Sequence, residues 1–212
     1  MSTDSFAPPT LVQSGDADAP LVVLFHGRGS DAREIAGLVP HLPNRLAYTA
    51  VRAPIAEGGG FAWFANRGIG RPVAESLAAT MGWFRDWLDS SVAPGRPVHL
   101  VGFSGGAAFA GGLLLADPAR WAGTAILNGT LPFDAGVPTT PGHLAGHAVF
   151  LSHGITDTVI PAELQQRTWA YLTEESGAAV LARRDQAGHQ ITIRTLEALS
   201  LWLEGLAEEA SR

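Results

Sequence analysis

At 212 residues, 46% of them hydrophobic and 16% charged, the chain has the length of one domain with a full-sized core and the composition of an ordinary soluble globule. Its net charge of −6, with no cluster among the 14 Lys and Arg residues, excludes nucleic acid or an anionic membrane surface as the main partner. Cysteine is absent, which excludes disulfides, thiolate catalysis and thiolate metal sites.

The first nine residues, Met1-Ser2-Thr3-Asp4-Ser5-Phe6-Ala7-Pro8-Pro9, have neither a basic start nor an apolar core of signal-peptide length, and no apolar run approaches transmembrane length. The expected location is cytoplasmic. Residues 21–25, Leu-Val-Val-Leu-Phe, read as a buried strand that stops at His26-Gly27-Arg28-Gly29-Ser30-Asp31. Ile35, Leu38 and Val39 at helical spacing within 32–42 predict a short helix capped by Ser30 or Asp31. Residues 46–51 predict a second strand. The segment 55–71, with Gly58-Gly59-Gly60 and Phe61-Ala62-Trp63-Phe64, reads as a long irregular loop, and such loops are more often functional than idle.

Pro72 suits the first turn of a helix to Ser91, in which Val73, Leu77, Met81, Phe84 and Leu88 recur on one face, widened by Trp83 and Trp87. Residues 98–103 predict a strand that breaks at Ser104, with helix formers resuming over 107–116 and ending before Pro118. Further strands are expected at 123–127, 148–152 and 179–183, a helix from Pro161 to about Ser176, and a last helix from about Ile191 with Leu196, Leu199, Leu203 and Leu206 on one face. Strand alternating with helix predicts an α/β fold, a mostly parallel central sheet with helices on both faces. No internal repeat or linker divides the chain, so residues 1–212 read as a single domain. The Gly/Pro-rich connection 128–147 offers no amphipathic helix for a cover, so no large lid domain and an open, shallow cleft are expected.

Sites in such sheets form beyond the carboxyl ends of the strands. There stands Gly102-Phe103-Ser104-Gly105-Gly106, the Gly-x-Ser-x-Gly elbow in which a strand turns so sharply into a helix that glycine is needed on both sides. A serine hydroxyl needs a histidine to take its proton and a carboxylate to orient that histidine. His189, in the loop before the last helix, and Asp157, after the preceding strand, complete the order Ser104, Asp157, His189. Seven histidines compete for the role of base. His26 and His153 sit at strand ends and are expected to hydrogen-bond to neighbouring loops; His41, His99, His143 and His147 look incidental. No spacing of histidines with carboxylates suggests a metal.

Five segments, Leu24-Phe25-His26-Gly27-Arg28-Gly29-Ser30-Asp31, Gly102-Phe103-Ser104-Gly105-Gly106, Leu127-Asn128-Gly129-Thr130-Leu131-Pro132, His153-Gly154-Ile155-Thr156-Asp157-Thr158-Val159-Ile160-Pro161 and Gly188-His189-Gln190-Ile191, together resemble the phospholipase/carboxylesterase family of α/β-hydrolases, which includes the acyl-protein thioesterases. The pair Trp63-Phe64 resembles the family's aromatic pair, with Ala65 in place of the aspartate expected next, and Gly105 stands where the family usually has glutamine. The resemblance implies a serine carboxylesterase that cleaves carboxylic esters or thioesters through an acyl-enzyme, with an α/β-hydrolase fold and no cofactor. It implies the backbone amides of Arg28 and Gly105 as the oxyanion hole. Phe61, Trp63, Phe64, Leu131 and Val159 are the candidate wall of the acyl pocket. A preference for short acyl chains is expected from the absent lid. The expected partner is a small-molecule ester or thioester, with no nucleic acid and no stable membrane insertion; a homodimer is compatible with this reading.

A reading from another class uses the first loop. Gly27-Arg28-Gly29-Ser30-Asp31-Ala32 between strand and helix matches a dinucleotide fingerprint, and Arg52 after the next strand would meet a 2′-phosphate. That reading predicts an NADP-binding oxidoreductase but leaves the elbow, Asp157 and His189 without a role. A third reading, a fold relative that only binds a ligand, does not explain why all three triad positions are filled.

Overall fold

The structure, a computed structural model, describes residues 6–209. Seven strands build the central sheet: β1 (Leu11–Ser14), β2 (Leu21–Phe25), β3 (Ala47–Val51), β4 (Val98–Phe103), β5 (Gly123–Leu127), β6 (Ala148–Gly154) and β7 (Ala179–Asp185). Their order in space is β1-β3-β2-β4-β5-β6-β7. Only β1 runs antiparallel, against β3; the other neighbours are parallel, with Phe25 of β2 beside Gly102 of β4 and Gly154 of β6 beside Asp185 of β7.

Side chains alternate along each strand, so one apolar run feeds two cores. Leu21, Val23 and Phe25 join Leu100, Ile126 and Leu151 on one face. There they pack under α2 (Ala74–Ser91), through Leu77, Met81, Phe84 and Leu88, and under α3 (Gly105–Ala116). Val22, Leu24, Val101, Leu127 and Phe150 face the opposite way, toward α1 (Ala32–Ala36) and the Leu196, Leu199 and Leu203 stripe of α5 (Ile193–Glu209). The remaining helix, α4 (Ala162–Ala170), runs into a wide turn, Tyr171–Glu175, whose Tyr171 and Leu172 belong to the first core.

Several elements differ from the sequence-based expectation. Strand β1 was not expected; two of its four residues are exposed, so it carries no apolar run. The helix expected over 32–42 breaks at Gly37, and Pro40 enters a separate tight turn, Val39–His41. The segment 55–71 is not irregular: Ile55–Glu57 pairs with Gly60–Ala62, and Asn66–Gly68 pairs with Arg71–Pro72. Pro72 therefore closes a hairpin, and the helix begins at Ala74. The first hairpin seats on the loop after β2 through Gly29 N–H to Phe61 O (2.9 Å) and Phe61 N–H to Ser30 O (3.0 Å). The connection 128–147 has no helix or strand; its Leu131, Phe133 and Leu144 are buried in the first core, so it forms no lid.

Candidate active site

At the end of β4 the chain reverses over Ser104, which holds φ 55° and ψ −116°, and α3 begins at the next residue. The two glycines of the motif answer different contacts. A Cβ on Gly102 would lie 2.2 Å from the Gly106 carbonyl oxygen, whereas a Cβ on Gly106 would lie 2.2 Å from the Phe25 carbonyl oxygen at the end of β2. The elbow is thus pressed against its own helix and against the neighbouring strand.

The loops after β6 and β7 bring Asp157 and His189 to this serine. His189 Nε2 is 2.8 Å from Ser104 Oγ, and His189 Nδ1 is 2.8 Å from Asp157 Oδ2. The Asp157 side chain is 1% exposed, and its Oδ1 accepts the amides of Val159 (2.8 Å) and Ile160 (3.2 Å). Both carboxylate oxygens are therefore engaged, which holds the plane of the group toward the imidazole. The Phe103 ring packs beside His189 at 5.1 Å between centroids.

One supporting residue went unread in the sequence. Asp185, the last residue of β7, accepts Thr192 and Thr195 hydroxyls, the latter at 2.6 Å, and Arg183 at 2.7 Å. Burial raises its pKa, but those hydrogen bonds and the Arg183 charge outweigh burial and hold it down to about 2. The carboxylate thereby ties the start of α5 to β7 on either side of the His189 loop. An acidic residue at a strand end followed by Thr-x-x-Thr was the available signal.

The other histidines are engaged elsewhere or remote. His26 Nδ1 donates to Gly27 O (2.7 Å) while its Nε2 accepts the Ala53 amide (3.1 Å), and burial lowers its pKa. His153 Nε2 donates to Gly129 O (3.1 Å). Among the described residues no group of three or more His, Asp or Glu is placed to hold a metal ion.

The amides of Arg28 and Gly105 have no hydrogen-bond partner among the described residues, and a Cβ on Gly105 would lie 3.2 Å from the Arg28 nitrogen. The Arg28 guanidinium is committed: it pairs through two nitrogens with Glu57 and donates to Phe64 O at 3.1 Å. A cleft of about 240 Å³ opens over Ser104 and His189. Of the expected wall residues, Trp63, Phe64 and Val159 line it. Phe61 does not, because its backbone is tied to the Gly29-Ser30 loop and its ring lies 4.5 Å from the Arg52 guanidinium. Leu131 does not either; it is fully buried against Gly111 in the core. Asn66, Ile69 and Gly70 of the second hairpin, with Thr130 and Ile160, supply wall that the sequence reading missed. A wider hollow of about 950 Å³ between β1 and residues 91–97 contains none of these groups.

The dinucleotide reading fails on the same loop. The first hairpin packs on it so closely that a Cβ on Gly60 would lie 1.9 Å from Gly29 O. Arg52 is paired with Asp31 at 2.7 Å and is not free for a 2′-phosphate.

Among curated proteins no sequence matches this chain. Solved structures similar to it include a Bacillus cereus carboxylesterase (22% identity, 94% of this chain and 95% of that one, TM-score 0.82). A Mesorhizobium loti carboxylesterase (23%, 94% and 100%, TM-score 0.79) and Arabidopsis thaliana SOBER1 (19%, 89% and 99%, TM-score 0.75) share the same fold. A model of the phospholipase/carboxylesterase family matches residues 7–206, and the chain belongs to that family of α/β-hydrolases.

Proposed function

We propose that the chain is a single-domain serine esterase acting on short-chain carboxylic esters or thioesters. The observation that carries this reading is the unbroken pair of 2.8 Å contacts from Ser104 Oγ through His189 to the buried Asp157. Ser104 Oγ attacks the carbonyl carbon as its proton passes to His189 Nε2, and Asp157 stabilises the resulting imidazolium. The oxyanion is received by the Arg28 and Gly105 amides. Collapse of the tetrahedral adduct breaks the bond to the alcohol or thiol, which leaves with the proton from His189. Water then attacks the acyl-enzyme carbonyl, giving its proton to His189; the bond to Ser104 Oγ breaks, Oγ takes that proton back from His189, and the carboxylic acid leaves.

The cleft of about 240 Å³ is smaller than the roughly 300–1,000 Å³ of drug-sized ligand sites. Each added methylene contributes up to about 0.8 kcal/mol, close to fourfold in kcat/KM, only while wall remains to receive it. On p-nitrophenyl esters, kcat/KM is expected to rise from two to about six acyl carbons and then flatten or fall, with no jump above the critical micelle concentration. Acyl-coenzyme A hydrolysis over the same lengths separates thioester from ester. Failure to hydrolyse any of these substrates would remove the reading; a rate that climbs to long chains would remove the short-chain part.

A further inference from the structure

Leu127-Asn128-Gly129, where β5 ends, carries part of the family resemblance but supplies none of the reacting groups. Strand β5 lies between β4 and β6 in the sheet, and its end is bonded to all three segments that carry the triad. Leu127 O accepts the Ser104 amide at 3.0 Å. Asn128 N–H donates to Ser152 O (2.8 Å), and Gly129 O accepts His153 Nε2 (3.1 Å), both on the strand whose following loop carries Asp157. The third bond is made by a side chain: Asn128 Nδ2 donates to Gly188 O at 3.3 Å.

Asn128 is 3% exposed and holds φ 44°, a left-handed backbone that asparagine tolerates better than most residues. Glycine would serve that backbone equally well, so what asparagine adds here is its amide. Gly188 O belongs to the peptide unit that contains the His189 nitrogen, and that unit is planar. A bond to the oxygen therefore fixes the plane from which His189 departs. Its other donor, Gln190 N–H at 2.9 Å, is two residues along the same loop and does not tie it to the sheet. Strand β6 leaves room for the oxygen, since a Cβ on Gly154 would lie 2.2 Å from it. The loop is also tethered by Thr156 N–H to Ala187 O (3.0 Å), so loss of the Asn128 amide turns the peptide plane without freeing the loop.

We propose that Asn128 is a positioning residue that acts through His189. The imidazole has to meet Ser104 Oγ at Nε2 and Asp157 Oδ2 at Nδ1 together, each at 2.8 Å, and a tilt of the peptide plane that carries it moves both contacts. The inference rests on the serine esterase reading and adds to it a residue that touches neither substrate nor reacting atoms.

Asn128→Gly is the test, because glycine keeps the left-handed backbone and loses only the amide. On p-nitrophenyl butyrate, kcat is expected to fall by about tenfold or more while KM changes by less than about twofold, since a misplaced base slows the chemistry and leaves the cleft wall in place. Asn128→Asp keeps the shape and tolerates the same φ but puts an oxygen where the donor was, so its kcat should fall at least as far. Thermal melts establish folding, and if only one of the two variants folds, that one carries the comparison. The second readout is the rate at which a fluorophosphonate labels Ser104, followed by intact mass. Asn128→Gly should slow labelling by about tenfold or more in the native background and by no more than about twofold in His189→Ala, where no base remains to be misplaced. A smaller loss of kcat, a larger change in KM, a greater fall in the His189→Ala background, or failure of both variants to fold overturns the inference and leaves the esterase reading intact. If the native protein hydrolyses no ester and takes up no phosphonate, both fall together.

Discussion

Ser104 occupies a backbone region that costs a non-glycine residue on the order of 1–3 kcal/mol, and it is held there by the glycine contacts on either side. The strain serves geometry: it lifts the hydroxyl clear of the sheet edge and aims the first amides of α3 at the same point. Arg28 shows the opposite division of labour, with backbone and side chain pointing to separate tasks. Its amide is unpartnered beside Gly105, while its side chain ties the loop after β2 to Glu57 and Phe64 O in the segment 55–64. That ion pair is about a third exposed on the arginine side and 40% exposed on the glutamate side, so it contributes only about 0–1 kcal/mol to stability. Arg28→Ala keeps the amide and is expected to lower kcat/KM on neutral esters by less than about tenfold, against the roughly 10²–10³ typical for loss of a true oxyanion donor. A loss of that larger size, measured in a folded variant, assigns the oxyanion to the guanidinium.

At the scale of elements, legibility follows how much a segment depends on its own residues. Strand β2 is a continuous apolar run, and β4 and β5 are interrupted only by His99 and Thr124, because both their faces are covered, and the sequence shows them directly. The elbow and the loops carrying Asp157 and His189 are legible for a related reason: a parallel sheet delivers successive strand ends to one edge, so chain order predicts proximity. What the sequence hides is pairing made from a distance. Strand β1 is only Leu11–Ser14 and exists through its ladder with β3. The hairpins within 55–72 have two or three residues per strand, too few for a period of two to register, and the first is fixed by Gly29 and Ser30 some thirty residues earlier. Phe61 and Leu131 were misplaced because an apolar loop residue serves core and cleft equally well by composition.

For the molecule as a whole, the neutral histidines set its response to acid. Burial pushes His99, His147 and His153 each down to about 4, with His147 adding to the effect at His99 and the Gly129 carbonyl and Asp157 partly opposing it at His153. Both ring nitrogens of His99 lack a partner, so protonation there meets no acceptor. In the unfolded chain these groups titrate near 6.5, so between pH 6.5 and 4 the unfolded state binds more protons than the folded one. Stability is then complete above about pH 6.5 and is lost as pH falls through that window, by up to about 3 kcal/mol for each histidine. The melting temperature is expected to be flat above pH 7 and to drop by roughly 10 °C or more by pH 4.5. A melting temperature unchanged between pH 7 and 4.5 would show that the histidines are solvated or already paired.

The claim on which the rest depends is that Ser104 is the nucleophile. Its most direct measurement is intact-mass analysis after incubation with a fluorophosphonate, with the modified peptide sequenced and the same experiment run on Ser104→Ala. One adduct is expected, on Ser104, with none in the variant and a fall of about 10⁴–10⁶ in kcat for the folded variant. An adduct elsewhere, or folded Ser104→Ala protein with near-normal esterase activity, would contradict it.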